Sequence, residues 1–227
     1  GIRTVIDFRH EFEVDAFGID RLPAGASRVS LPITAGGMDA STHEALRRGD
    51  LTALPDLTVA NRNFVRNNRR ELGQLLRILG EPDNLPAIFH CIGGKDRTGI
   101  AAAVLLSALG VPWSNVQTDY LATNDQIAMG VDEQLAHLAR TTGYEGTQST
   151  ASREAARRFF VLEARYIDAA REEMIARAGS VDDYIESDLG VSPVVVARLR
   201  RELVEFADGP GPAIPPANAT DPTEPLP

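Results

Sequence analysis

Apolar and polar positions along the 227-residue chain change their spacing several times, and each change marks an element. Arg3-Thr-Val-Ile-Asp-Phe-Arg9 is a short apolar run rich in β-branched residues, which predicts a buried strand. Pro23 to Gly37 reads as a turn, a short strand over Ser27–Ile33 and a Gly-Gly loop. Met38–Thr58 is polar with moderate helical character and is expected to form a mobile covering segment. From Asn61 to Leu79 the spacing becomes helical, with Phe64, Val65, Leu72, Leu75, Leu76 and Leu79 on one face. Ala87-Ile88-Phe89 predicts a central strand. A Gly-rich turn then leads into a buried Ala- and Leu-rich helix over Thr98–Leu109, stopped by Gly110 and Pro112. Helices are expected over Ser114–Thr123, capped at Ser114, then over Asp125–Arg140 and Ser152–Ala178. Two final helices, Val181–Ile185 and Ser192–Phe206, complete the pattern, the second with Ser-Pro at its N-cap and first helical position.

Composition narrows the classes. The chain is 43% apolar and 24% charged, as expected of a globular domain. The richest apolar window, Ile100 to Leu109, is about half the ~18–20 residues a membrane span needs, so no transmembrane segment is expected. A net charge of -9 argues against nucleic acid as a partner, because phosphate contacts need a basic face. A single cysteine excludes a disulfide framework and a cysteine-rich metal site; no metal and no cofactor are expected. From Gly209 onward the chain holds seven of its 14 prolines and little apolar content. This divides it into a single domain over residues 1–206 and a disordered Pro-rich tail over 207–227. A core strand beginning at residue 3, with no initiator methionine or signal peptide ahead of it, leads us to expect that upstream sequence is missing. Localisation is expected to be cytoplasmic, or exported without a cleaved signal peptide.

The rarest residues carry the chemistry. Of 23 basic residues only Lys95 is a lysine, and it lies four positions from the sole cysteine. Both belong to His90-Cys91-Ile92-Gly93-Gly94-Lys95-Asp96-Arg97-Thr98-Gly99. A strand, a Cys-x5-Arg turn and a helix would gather backbone N–H groups around one point and add the positive helix end, forming an anion cradle. Gly93 and Gly94 would permit close backbone approach. Arg97 would grip two oxygens of a tetrahedral oxyanion above the Cys91 sulfur, in surroundings that favour a thiolate. The Thr98 hydroxyl would hydrogen-bond that thiolate as it leaves. Asp96 reads as the proton donor to the leaving oxygen or as a loop brace. His90 reads as support for the loop rather than as a base, and Asp7 and Arg9 as braces from a neighbouring strand. A nucleotide-binding Walker loop is excluded, because Phe89 and Asp96 stand where glycine and Ser/Thr are required. A Cys/His protease lacks a supported histidine among His10, His43 and His137, and a sulfurtransferase loop leaves the Gly-Lys-Asp insert unexplained. A binding module that uses the same cradle without turnover stays open as an alternative.

His90-Cys91-x5-Arg97-Thr98, narrowed by Gly94-Lys95-Asp96-Arg97-Thr98-Gly99, resembles the signature of the bacterial atypical tyrosine and phosphoinositide phosphatases. Further resemblance lies in Gly1–Arg9, in Thr118-Asp119-Tyr120-Leu121-Ala-Thr-Asn124-Asp125 and in Tyr184…Leu189-Gly-Val-Ser192. The resemblance implies an α/β cysteine-phosphatase fold, with a central, mainly parallel sheet flanked by helices and a helix-rich C-terminal half. It implies Cys91 as nucleophile, Arg97 as phosphate binder and Asp96 as general acid, with Ile92, Gly93, Gly94, Lys95, Thr98 and Gly99 contacting substrate. The implied substrates are phosphorylated proteins, with phosphotyrosine first and phosphoserine or phosphothreonine beside it, or phosphoinositides, towards which Lys95 inclines the site. Asp39 is out of register for an acid on a mobile loop.

Overall fold

The computed structural model describes residues 1–34, 54–126 and 160–204, together with Glu44 and Glu154. Three parallel strands form its sheet in the order β2-β1-β3: β1 is Thr4–Asp7, β2 Ser27–Ser30 and β3 Ala87–His90. β1 is buried along its whole length, as its β-branched run requires. Its partners run in register, so that Asp7, Ser30 and His90 stand in one row at the carboxyl ends. The chain moves from β1 to β2 on one side and then crosses to β3 on the other. The crevice above β1 and β3 is therefore the switch point where an α/β sheet binds its ligand. The expected central strand is thus a flank among the described residues: β1, not Ala87–His90, holds the centre.

Helices cover this sheet. Helix α1 (Glu11–Phe17) follows β1, and its one buried residue is Glu13. The expected single helix over Asn61–Leu79 is two helices, α2 (Leu57–Asn67) and α3 (Arg69–Leu79). The apolar face is as read: Phe64, Val65, Leu72, Leu75, Leu76 and Leu79 are all buried. Asn68 breaks the run because its amide is used elsewhere. Its Nδ2 donates to the Phe64 and Thr34 carbonyls at 2.9 and 3.2 Å, while Oδ1 accepts from the Thr34 N–H at 2.8 Å. The strand expected to reach Ile33 ends at Ser30, although Ile33 N–H still bonds Phe8 O at 3.1 Å.

Helix α4 (Asp96–Ala108) begins two residues before its expected start and buries Ile100, Ala101, Ala103, Val104 and Ala108 on one broad face. It packs against α2, α3, β3 and α5 (Trp113–Gln126). Helix α5 starts at Trp113, with Asn115 N–H already bonded to Pro112 O at 2.8 Å, so Ser114 lies inside it rather than at its cap. The helix runs unbroken through Asn124 to Gln126, where a separate helix from Asp125 was expected; residues 127–140 lie outside the described residues. The helix expected from Ser152 is interrupted, since 161–163 are non-helical and α6 spans Ala164–Ala178. The Asn124 amide explains the break: it donates to Leu162 O at 2.9 Å and accepts from Leu162 N–H at 2.8 Å.

Helix α7 (Val181–Asp183) passes into a π turn over Tyr184–Asp188, longer than the Val181–Ile185 helix expected. Helix α8 (Pro193–Leu203) starts after Ser192 as read. Tyr184 is fully buried, and its hydroxyl donates to Val65 O at 2.5 Å, locking the π turn to α2. Apart from Glu44, the Met38–Thr58 covering segment as far as residue 53, with Asp39 in it, lies outside the described residues, as does the Pro-rich tail. No helix among the described residues is long and apolar enough to cross a membrane.

Candidate active site

β3 ends at His90 and α4 begins at Asp96, so the intervening turn closes over the carboxyl end of the sheet. Gly94 adopts φ +64°, a conformation natural to glycine, and so reverses the chain. The first N–H groups of α4 have no partner within the helix and border this turn. Gly99, in that first turn, has no room for a side chain: a Cβ would lie 3.0 Å from the ring of Tyr120 on α5.

The structure brings the sequence-designated residues together. Cys91 is 7% exposed, and the Thr98 hydroxyl donates to its Sγ at 3.3 Å. Ile92, Gly93 and Gly94 line the outer, exposed part of the turn. Lys95 is 8% exposed, and its Nζ lies 3.2 Å from Asp96 Oδ1, itself a buried oxygen without an aligned hydrogen bond. The only lysine is therefore held in the wall of the site beside Asp96 instead of extending into solvent.

Arg97 folds back under the turn. Its Nη1 donates to Glu13 Oε2 at 2.7 Å and to Phe8 O at 3.2 Å, and its Nη2 donates to Glu13 Oε1 at 2.6 Å. Among the described residues these bonds occupy one edge of the guanidinium and leave the edge formed by Nε and the second Nη2 proton, a pair suited to two oxygens of one anion. Burial opposes the charge on Arg97, but the bonds to Glu13 and the neighbouring Cys91, Glu13 and Asp96 charges outweigh it and hold the proton more tightly than usual. Burial likewise works against charged Glu13. The Arg97 guanidinium prevails, keeping that carboxyl below the ordinary range.

Glu13 escaped the reading of the sequence. Its Oε2 also accepts His10 N–H at 2.8 Å, the return bond of a helix-start box, so a carboxylate three residues after His10 was the available signal. That spacing marks a helix start but does not identify Arg97 as the distant partner.

A second charge cluster underlies the sheet ends. Asp7 Oδ1 accepts from Arg9 N and Nε, both at 2.9 Å. Its Oδ2 accepts from Arg9 Nη2 at 2.8 Å and Arg28 Nη2 at 2.7 Å. Burial alone would raise the Asp7 carboxyl, yet the two guanidiniums hold it far below the usual carboxylate range. Asp20, in the connection after α1, accepts from Arg9 Nη2 at 2.8 Å and stands 3.2 Å from His90 Nε2. His90 Nδ1 lies 2.9 Å from Cys91 O. Asp7 and Arg9 thus reach the cysteine turn through Asp20 and His90. Among the described residues, Asp7, Asp20 and His90 have the spacing of metal ligands, but an ion there would have to displace the guanidiniums of Arg9 and Arg28.

Two arginines of α2 and α3 are engaged elsewhere. Arg66 pairs with Glu173 at 2.9 Å and Arg69 with Asp188 at 3.4 Å, joining helices rather than facing the turn.

Comparison with known proteins agrees with this geometry. Residues 1–205 match the tyrosine phosphatase family. The chain is 26% identical to the triple specificity protein phosphatase PtpB of Mycobacterium tuberculosis over 231 residues, covering 90% of this chain and 83% of that one. A Cupriavidus necator protein, whose name assigns it provisionally to the tyrosine-protein phosphatases, is 38% identical over 113 residues, 50% of this chain and 37% of its own. A tyrosine-protein phosphatase of Nostoc commune is 32% identical over 71 residues, 31% of this chain and 24% of its own. The chain therefore spans most of the mycobacterial relative and well under half of the other two.

Proposed function

The chain belongs to the tyrosine phosphatase family, and from that premise we propose that it is a cysteine-dependent phosphatase acting on phosphotyrosine, with phosphoserine, phosphothreonine and phosphoinositides as further substrates. One observation carries the reading: Cys91 Sγ, the Thr98 hydroxyl and a guanidinium fixed by Glu13 converge on the turn that opens α4.

The anion enters the turn, where the backbone N–H groups and the unpaired edge of Arg97 bind its oxygens. The Sγ thiolate attacks phosphorus while the bond to the leaving oxygen breaks, and Asp96 gives that oxygen its proton. Water then attacks the phosphocysteine, passes a proton back to Asp96 and releases inorganic phosphate. The sulfur leaves as a thiolate stabilised by the Thr98 hydroxyl at 3.3 Å. Arg97 and the N–H groups act on charge that is spread over the equatorial oxygens in both transition states.

Phosphate release from p-nitrophenyl phosphate across pH 5–8 tests the mechanism. Turnover by the wild-type chain and none by Cys91→Ser is the expected result; a wild type that binds phosphate monoesters without hydrolysing them would make the chain a binding module instead. Substrate range is tested through Lys95. Lys95→Ala is expected to lower hydrolysis of phosphoinositide head groups more than that of a phosphotyrosine peptide, and equal losses would remove the phosphoinositides from the proposal.

A further inference from the structure

We propose that Tyr120 is a positioning residue: its ring bears on Gly99 and fixes the first turn of α4 against Glu13, which sets the reach of Arg97 and Thr98 towards the thiol. The inference rests on the reading of Cys91 as the reacting group.

The first turn of α4 is held from two sides. Each residue advances about 100° around a helix, so Arg97 and Gly99 point to nearly opposite faces. On the Arg97 face, Glu13 accepts from Nη1 at 2.7 Å and from Nη2 at 2.6 Å, and Phe8 O accepts from Nη1 at 3.2 Å. On the other face, a Cβ at Gly99 would meet Tyr120 Cδ2 and Cε2, both at 3.0 Å. Carbon atoms pack best at about 3.5–4.0 Å, so the glycine backbone already lies against the ring and nothing larger fits between them.

Tyr120 makes a firm seat. It is 2% exposed and belongs to the core. Its hydroxyl accepts from Asn61 Nδ2 at 3.4 Å, and Asn61, on α2, is itself fully buried. Burial, with the Asp96 charge added, pushes the Tyr120 hydroxyl above its ordinary range, so it stays neutral. The influence of Asp96 fits the geometry, because residues three apart share a helix face and Asp96 therefore stands on the Gly99 side.

Movement at Gly99 is passed on. Its N–H donates to Lys95 O at 2.9 Å, closing Asp96, Arg97 and Thr98 into one turn. The Thr98 hydroxyl reaches Cys91 Sγ at 3.3 Å, so a shift of a few tenths of an ångström alters that bond and the approach of Arg97 to an anion together.

Complementary changes of size in the full chain test the seat. Gly99→Ala adds one methyl against the ring at a helical position where alanine is otherwise the better residue, so folding is retained. It is expected to lower kcat on p-nitrophenyl phosphate about tenfold and to weaken binding of inorganic phosphate, followed by calorimetry, about threefold or more. Tyr120→Leu removes the ring and should cost kcat as much, while Tyr120→Phe, which keeps the ring, should hold kcat within about threefold of wild type. In the double variant Gly99→Ala/Tyr120→Leu the methyl enters the space the ring has left, and kcat is expected to be about threefold or more above that of either single variant. Wild-type kcat and phosphate affinity in Gly99→Ala overturn the proposal, and so does a double variant no faster than the single ones. Should Tyr120→Leu not fold, Gly99→Ala alone decides. Phosphate binding needs no turnover. A wild type that binds phosphate without hydrolysing p-nitrophenyl phosphate would remove the phosphatase reading, and the phosphate affinity of Gly99→Ala would then decide the positioning role by itself.

Discussion

The two ends of helix α4 lie in opposite physical settings. At its start, Cys91, Lys95, Asp96, Arg97 and Glu13 crowd into a few ångströms, and each charged group has an oppositely charged neighbour. At its finish, Ala108 borders a shallow cavity of about 300 Å³ lined mainly by Ile185, Val191, Pro193, Val196 and Ala197. Arg200 Nε donates to Ala108 O at 2.9 Å there, placing a cation where the helix dipole is negative. The two ends differ in what their groups hold: the first gathers paired charges around the cysteine turn, and the second holds helices together. Substitutions at the two ends should therefore separate activity from stability.

The largest separation is expected at Arg97. Lysine keeps the charge but loses the planar fork that binds Glu13 and an anion at once, so Arg97→Lys should lower kcat/KM by about a thousandfold or more. A loss below tenfold on p-nitrophenyl phosphate would break the comparison, because charge alone would then suffice.

Glu13 belongs to both sides of it. Glu13→Ala leaves a buried guanidinium uncompensated and should cost about 3–5 kcal/mol of stability as well as activity, read by thermal unfolding beside steady-state rates. The pH dependence sharpens this. Glu13 and Asp7 both hold their carboxyls below the ordinary range in the folded chain, so the unfolded chain binds more protons. Their stabilisation is therefore complete above about pH 5 and is lost as the pH falls through and below the ordinary carboxylate range. Glu13→Gln should flatten the acid limb of the Tm–pH curve, and an unchanged limb would place the sensitivity elsewhere.

Gly73 tests the helical side. A Cβ at this position would come 2.3 Å from Leu189 O, so Gly73→Ala must push the π turn away from α3, at about 1–3 kcal/mol. The expected result is a lower Tm with kcat within about twofold of wild type. A kcat loss that matches the stability loss would mean the site is coupled to helix packing. The smallest effect is expected at Arg200: removing its bond to Ala108 O in Arg200→Ala should cost about 1 kcal/mol and leave the pH–rate profile in place.

The helical regions, the strands and the cysteine turn were legible because their causes are local. A β-branched run makes β1, a six-residue apolar face buries α2 and α3, and one short segment carries the thiol, the glycines, the lysine and the arginine. Two of the misread boundaries share one cause. Asn68 and Asn124 spend their amides on distant backbone, at Thr34 and Leu162, and so end helical runs that periodicity alone would continue. Ser114 failed as a cap for a related reason, because Pro112 O already accepts the first helical bond.

Sequence by itself thus determined which residues make the cysteine turn, since every part of it lies within ten consecutive positions. Tertiary structure alone decided what holds that turn in shape. Glu13 meets Arg97 across 84 positions, Asp20 meets His90 across 70, and Arg28 meets Asp7 across 21, each pair brought together by parallel strands that end in one row. A carboxylate's partner depends on which side chains the fold carries to within about 3 Å of it, and no local pattern of residues records that distance.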